Sequence, residues 1–320
     1  MMDRRRFLGT TVAGASALAF GSVWSQATPS LGAPTAPAVG FRRMKLGAME
    51  VIAIHDGALR RPLGDEFVTN TPLDQVKAAL AAQGLPTEYV DIPFTPFLVV
   101  SGNRRVLMDV GFADNGPPTT GRLRANMEAA GYKPEDITDV VISHFHGDHI
   151  SGLRAKDGSL VFPRAKVHVP VPEHAFWLDD AKMNAAPAAA RGNFMNARRV
   201  FNNYPAEQLV RFEPGATIAP GITSSAAFGH SPGMCMFQVT SEGQNFHYVA
   251  DVTNVPSLFA RSPDWSVTFD MDPNMARATR RRVFDAMVKD RALTGGFHFP
   301  FPAIGTMENA GNGYQFKPLA

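Results

Sequence analysis

Apolar and polar positions in this chain fall into short runs, cut by glycine and proline, that switch between a period of two and a period near 3.6. "MKLGAMEVIAIHDG" alternates loosely and stops at Asp56-Gly57, which reads as a strand followed by a turn. "TPLDQVKAALAAQG" reads as a helix with Thr71 as N-cap, Pro72 at the first helical position and Gly84 as its stop. "PFLVVSGNRRVLMDVG" holds two apolar strands joined at Gly102-Asn103, a hairpin. "TGRLRANMEAAG" places Leu123, Met127 and Ala130 on one helix face. A short buried strand, Val140 to Ser143, then runs straight into "HFHGDH". "KVHVPV" is a further strand and "PEHAFWLDD" opens a helix. Residues 180–205 are rich in Ala and Asn, helical in expectation and suited to a lid.

The second half begins with three successive strands in "GITSSAAFGHSPG", "MCMFQVTSEG" and "QNFHYVADV". "NMARATRRRVFDAMVKD" is a helix, on which Arg280 to Arg282 are expected to form a solvated face. The tail reads as short strands with loops. Strands in runs with helices interspersed suit an α+β fold of two sheets with helices outside them.

Composition bounds the class. A chain of 320 residues, 45% hydrophobic and 19% charged, can bury a substantial core, as one large domain or two small ones. Residues 1–27 resemble a twin-arginine export signal: Arg4-Arg5 before Phe7-Leu8, then a mild apolar run, then "SQA" as a cleavage site. Residues 28–40, rich in Pro and Ala, read as a linker, leaving 41–320 as a single domain. The expected location is periplasmic or secreted, with the Tat machinery as an export partner. Of 31 Lys and Arg and 29 Asp and Glu, residues 1–27 hold three arginines and one aspartate, so the remainder carries 28 of each. That balance lacks the footprint of a nucleic-acid binder. Cys235 is the one cysteine, which excludes an internal disulfide and a thiolate-rich zinc site. A homodimer is left open.

Three of nine histidines stand within six residues, at His144, His146 and His149, with Asp148 among them. Extended residues alternate, so His144 and His146 point to one side, while Asp148 and His149 come from the following turn. Such a segment offers two imidazoles to one metal and an imidazole with a carboxylate to a second. It is too small to close two sites. His230 in "FGHSPG", Asp251 in "YVADV" and His298 in "GGFHFP" each end an apolar run, where a charged core residue would be costly. Asp109 in "LMDVG" is either a turn residue or a carboxylate that orients a ligand histidine. His55, His168, His174 and His247 read as structural or solvated.

"HFHGDH", "GHSPG", the "AD" after an apolar strand and the late His together resemble the metallo-β-lactamase-fold hydrolases. "HDG", "GRLRANMEAAGYKPEDI", "FWL" at Phe176 to Leu178, "FPFPAIG" and "GYQF" are similar to the methyl parathion hydrolase-like and quorum-quenching lactonase branch. The resemblance implies a four-layer αββα sandwich with metals at one edge. It assigns His144, His146 and His230 to one metal and Asp148, His149 and His298 to the second, with Asp251 bridging. The chain departs from the family pattern at Met234, where the last His of "GHTPGH" would stand, and at Ala250, where Gly precedes the bridging Asp.

Two divalent ions, Zn2+ first and Mn2+, Fe2+ or Co2+ as alternatives, would share a bridging water about 3.5–4 Å-spaced cations can ionise. The hydroxide is then the nucleophile, with Asp251 fixing the spacing and Asp148 taking a proton. Neutral charge and many Phe and Met suggest a neutral, partly apolar substrate, with Trp177, Phe194 and Met195 at the pocket mouth. Trp177 aligns with an aromatic residue of the methyl parathion hydrolases, but Gly116 stands where another is expected. The expectation is therefore an acyl-homoserine-lactone-like lactone or ester, ahead of an organophosphate triester. A non-haem iron oxidoreductase on the same fold is the rival class.

Overall fold

The computed structural model describes residues 31–319. The expected export signal, at 1–27, lies outside them. No helix among the described residues is long and apolar enough to cross a membrane. β1 (Phe41–Leu46) and β2 (Met49–Ile54) form a hairpin. β3 (Gly57–Pro62) and β4 (Tyr89–Phe94) pair as a separate ribbon, with α1 (Leu73–Ala81) between them. α1 starts one residue later than expected: Pro72 itself is the N-cap, and no side chain caps the helix. β5 (Phe97–Ser101) and β6 (Arg104–Met108) form the expected hairpin, paired from Ser101–Arg104 inward. α2 (Leu123–Ala129), β7 (Asp139–Val141), α3 (Gly147–Ile150), β8 (Lys166–Pro170), α4 (Val171–Trp177), α5 (Asp180–Ala185), α6 (Ala188–Phe201) and β9 (Leu209–Phe212) complete the first half.

These strands make a seven-stranded sheet ordered β1-β2-β5-β6-β7-β8-β9, parallel from β6 onward. The second sheet runs in chain order: β10 (Thr217–Ala219), β11 (Ile222–Ala226), β12 (Cys235–Ser241), β13 (Gln244–Tyr248), β14 (Leu293–Gly295), β15 (Ile304–Ala310) and β16 (Gly313–Pro318). α7 (Pro256–Phe259) and α8 (Pro273–Asp290) lie in the crossover from β13 to the parallel β14.

Alternation sorts the first sheet's side chains into two cores. Val51, Phe97, Val99, Val106 and Met108 meet Phe237, Val239, Phe246 and Tyr248 between the sheets. Ile52, Ile54, Leu98, Leu107 and Val140 face Leu123, Met127, Val200 and Phe201 of the outer helices. A sheet covered on both faces explains why these strands read as continuous apolar runs. α8 covers the second sheet with Val283, Phe284 and Met287. The layers are helix, sheet, sheet, helix: the four-layer αββα arrangement.

The Arg280–Arg282 run is not the solvated face expected of it: Arg282 is exposed and Arg281 half-buried, but Arg280 is not. Arg280 is fully buried, and its guanidinium donates to the carbonyls of Val252, Pro263 and Trp265 and to Asp270. It lies on the same stripe of α8 as Ala276, Val283, Phe284 and Met287, at helical spacing.

Candidate metal centre

Parallel pairing sets the site. Because β6 and β7 run parallel, Asp109 and the segment after β7 emerge at one end of the first sheet. Because β13 and β14 run parallel, Asp251 and His298 emerge together from the second. The strand expected over 140–143 stops at Val141, because Ser143 gives its N–H (2.8 Å) and hydroxyl (2.7 Å) to the Asp109 carboxylate. His144 and His146 then flank Phe145, whose ring turns the other way and stacks on Phe201 at 4.4 Å. His146 is the N-cap of α3, and Asp148 and His149 form its first turn.

His230 sits in the loop from β11 to β12. Gly229 there has φ 125°, and a Cβ on it would lie 2.3 Å from the Ala276 nitrogen, so α8 can approach the loop only at a glycine. Ala250, before Asp251, holds φ 46°. That left-handed backbone is the physical reason glycine suits the position, and an alanine there carries a modest strain.

The seven side chains converge. His144, His146 and His230 form one group, Asp148, His149 and His298 another, and His144, His149 and Asp251 a third; within each, ligand atoms lie within 4.8 Å of one another. His146 Nδ1 is 3.1 Å from His144 Nε2 and 2.9 Å from His230 Nε2. Asp251 Oδ2 is 2.9 Å from His298 Nε2 and 3.2 Å from His230 Nε2, while Oδ1 is 3.2 Å from His149 Nε2. Asp251 therefore touches members of both three-residue sets. Six of the seven are buried, with His146 half-buried toward the opening.

The donor set fits two divalent cations. His149 Nε2 and Asp251 Oδ1 are buried without any hydrogen-bond partner, although 3.2 Å apart. Such orphans are costly unless an ion lies between them. Imidazole nitrogen and carboxylate oxygen are the donors zinc and its neighbours take.

Burial and neighbouring charge set the protonation states. Burial, then the His149 and His146 charges, hold His144 well below its ordinary value. Burial and His230 bring His146 down to about 3. Burial alone would lower His230, but Asp251 and Asp270 outweigh it and raise it to about 9. Burial would raise Asp251, but His298, His149 and His230 hold it well below the carboxylate range.

An outer ring fixes the ligands. Asp109 accepts from His149 Nδ1 (2.7 Å) and Tyr248 (2.5 Å), besides Ser143, so it is a buried carboxylate that holds the His149 ring and not a bare turn residue. Asp270 is 2.9 Å from His230 Nδ1 and 3.2 Å from Arg280. His298 Nδ1 is held by the Pro93 carbonyl at 2.9 Å. Asp270, Arg280, Tyr248 and Glu173 were not legible as site residues in the sequence.

A cavity of about 340 Å³ opens onto His146, Asp148, His230, Asp251 and His298. Ile92, Trp177, Phe269 and Met271 give it apolar walls, and Arg61 is its one Lys or Arg among the described residues. Of the three residues expected at its mouth, only Trp177 lines it. Phe194 packs behind Trp177, ring centroids 4.7 Å apart, and Met195 is 53% exposed, outside the lining. The period of α6 turns Ala189, Ala190 and Asn193 to the cavity instead. Gly116 is also outside the lining, packed on Phe112. Met234 lies in the apolar core, apart from the ligand groups. His168 pairs with Asp139 (2.9 Å), His55 packs on Phe301, and His247 is half-buried. His174, expected in solvent, is half-buried against Phe145 and Phe201.

The family model of the metallo-beta-lactamase superfamily matches residues 95–294. A solved structure of AidC, described as a dizinc quorum-quenching lactonase in complex with a product N-hexanoyl-L-homoserine, is 26% identical. It covers 88% of this chain and 98% of its own, with a TM-score of 0.81. The hydrolase AbOPH of the beta lactamase superfamily is also 26% identical, covering 89% of this chain and 99% of its own at a TM-score of 0.83. A probable metal-dependent hydrolase from Staphylococcus aureus, 18% identical over 87% of this chain and 100% of its own, shares the fold at a TM-score of 0.69. A search of curated proteins returned no match.

Proposed function

Because the chain belongs to the metallo-beta-lactamase superfamily, we propose that it is a binuclear metal-dependent hydrolase of a neutral, partly apolar lactone or ester, of the acyl-homoserine-lactone kind. The observation that carries the reading is the convergence of His144, His146, Asp148, His149, His230, Asp251 and His298 at the floor of one cavity. Two divalent cations bound there would supply Lewis acidity toward a carbonyl oxygen and lower the pKa of a shared water.

The chain's own residues do the rest. Ile92, Trp177, Phe269 and Met271 exclude water and offer an apolar wall to an acyl group. Asp251 reaches both ligand sets and so fixes their spacing. Asp148 lines the cavity, and its Oδ2 lies within 3.4 Å of His149 and His298. Opening the ring forms a C–O bond from water to the carbonyl carbon and breaks the ring C–O bond. Asp148 Oδ1 carries the water's proton to the departing oxygen. The likeness to AidC, described as a dizinc quorum-quenching lactonase, supports lactones as the first class to try.

Protein loaded separately with Zn2+, Mn2+ and Co2+ is assayed on N-acyl-homoserine lactones, aryl esters, phosphotriesters and β-lactams. Lactone or ester opening faster than the other classes is the expected result. Preference for a phosphotriester, or no turnover in the panel, refutes the substrate class.

A further inference from the structure

Glu173, in the first turn of α4, is fully buried and pairs with no Lys or Arg among the described residues. Its carboxylate nevertheless has both oxygens satisfied. Oε2 accepts from the Phe145 N–H (2.9 Å) and the Trp177 indole N–H (2.7 Å). Oε1 accepts from the Ser231 hydroxyl (2.6 Å) and the Gly233 N–H (2.6 Å). Hydrogen bonds to an ionised acceptor are short and strong, and a buried carboxylate with this many donors is a rigid node.

What the node joins is specific. Phe145 stands between His144 and His146, and Ser231 follows His230 directly. The Trp177 indole lies edge-on to His146, centroids 5.8 Å apart, and walls the cavity. Gly233 lets α4 seat on the His230 loop, since a Cβ there would fall 2.6 Å from the Glu173 nitrogen. Glu173 thus reaches the loops of all three members of the His144–His146–His230 set through neighbouring backbone or rings, while Ser143 Oγ meets His144 Nδ1 at 3.0 Å and Asp270 meets His230 Nδ1 at 2.9 Å. Glu173 touches no member of the other set: Asp109 holds His149, and through Ser143 also reaches His144, while the Pro93 carbonyl holds His298.

We propose that Glu173 is a positioning residue dedicated to the three-histidine site, clasping the two loops that carry His144, His146 and His230 and leaving the Asp148–His149–His298 site independent of it. This rests on the binuclear reading given above.

The test is Glu173→Gln, which keeps the side-chain size but turns one acceptor oxygen into a donor amide. Protein loaded with two Co2+ ions is titrated with a chelator. Bound metal is counted by elemental analysis, and tryptophan emission is followed in parallel as a reporter of the site beside Trp177. The variant is expected to release one ion at a chelator level about 10–100-fold below wild type. Emission should change in that step, and the second ion should leave at the wild-type level. Where Glu173→Gln does not fold, Ser231→Ala removes one donor and is expected to weaken the same ion alone. Release of both ions in parallel, or at wild-type levels, overturns the positioning role and leaves the binuclear reading standing. A wild-type chain that never holds two ions overturns both.

Discussion

Replacing Arg280 with Met exchanges a buried guanidinium for an apolar side chain of similar length. Four acceptors lose their donor: the carbonyls of Val252, Pro263 and Trp265, at 2.8–3.0 Å, and the Asp270 carboxylate at 3.2 Å. Arg280 is 0% and Asp270 8% exposed, and of the three carbonyls only that of Trp265 lies in a half-buried residue. Removing one partner of a buried ion pair costs about 3–5 kcal/mol, and orphaned carbonyls add to it, so roughly 5 kcal/mol is expected. That is a large share of the stability of an ordinary domain, about 5–15 kcal/mol. The assay is urea unfolding in excess chelator, so that metal binding does not enter the comparison. The midpoint should fall by about 1–2 M with the slope unchanged. Asp270→Asn alone leaves Arg280 its three carbonyls and should cost about 1–3 kcal/mol. The double variant should show a coupling of about 1–3 kcal/mol, the signature of one shared network. A loss below 1 kcal/mol in Arg280→Met (about the effect of a surface change) would refute the reading that the buried Arg280 network stabilises the fold.

Further outcomes follow from burial and from the cavity wall. Burial, then the Arg122 charge, hold His55 at about 4. A histidine lowered in the fold contributes fully above its unfolded value near 6.5 and loses that contribution as pH falls toward 4. Relative to His55→Gln, the wild type should therefore lose about 2 kcal/mol between pH 7 and pH 4.5 in urea melts; a pH-independent difference would contradict the assignment. Ala190→Trp should fill the cavity edge and raise KM for long-chain acyl substrates by about tenfold over short-chain ones. Met195→Ala should change neither KM nor stability, because the side chain points to solvent; equal effects of the two would misplace the cavity.

The convergence of the seven side chains was legible because four of them crowd one turn and His230, Asp251 and His298 each follow an apolar run. Of its holders, Asp109 was a candidate, but the others were not legible: Glu173 meets Phe145, Ser231 and Gly233 across 28 to 60 residues, distances at which no local pattern exists, and only Trp177, at i+4, is local. Arg280 was different, since its helical spacing from Ala276, Val283, Phe284 and Met287 was in the sequence. Three consecutive residues sweep most of a helix's circumference, so a run of three arginines cannot all face solvent on a packed helix. The pocket mouth failed for the same reason in reverse: Phe194 packs with Ala197, Val200 and Phe201, and Ala189, Ala190 and Asn193 line the cavity.

The central claim is that one carboxylate, Asp251, ties two metal sites into a single centre. Elemental analysis of bound metal per chain, on wild type and on Asp251→Ala after dialysis against Zn2+ and then metal-free buffer, addresses it most directly. Two zinc ions per wild-type chain are expected, with loss of tight binding of at least one ion and of hydrolysis in the variant. A wild type that retains a single redox-active iron, or an Asp251→Ala protein that keeps two ions and full turnover, would contradict it.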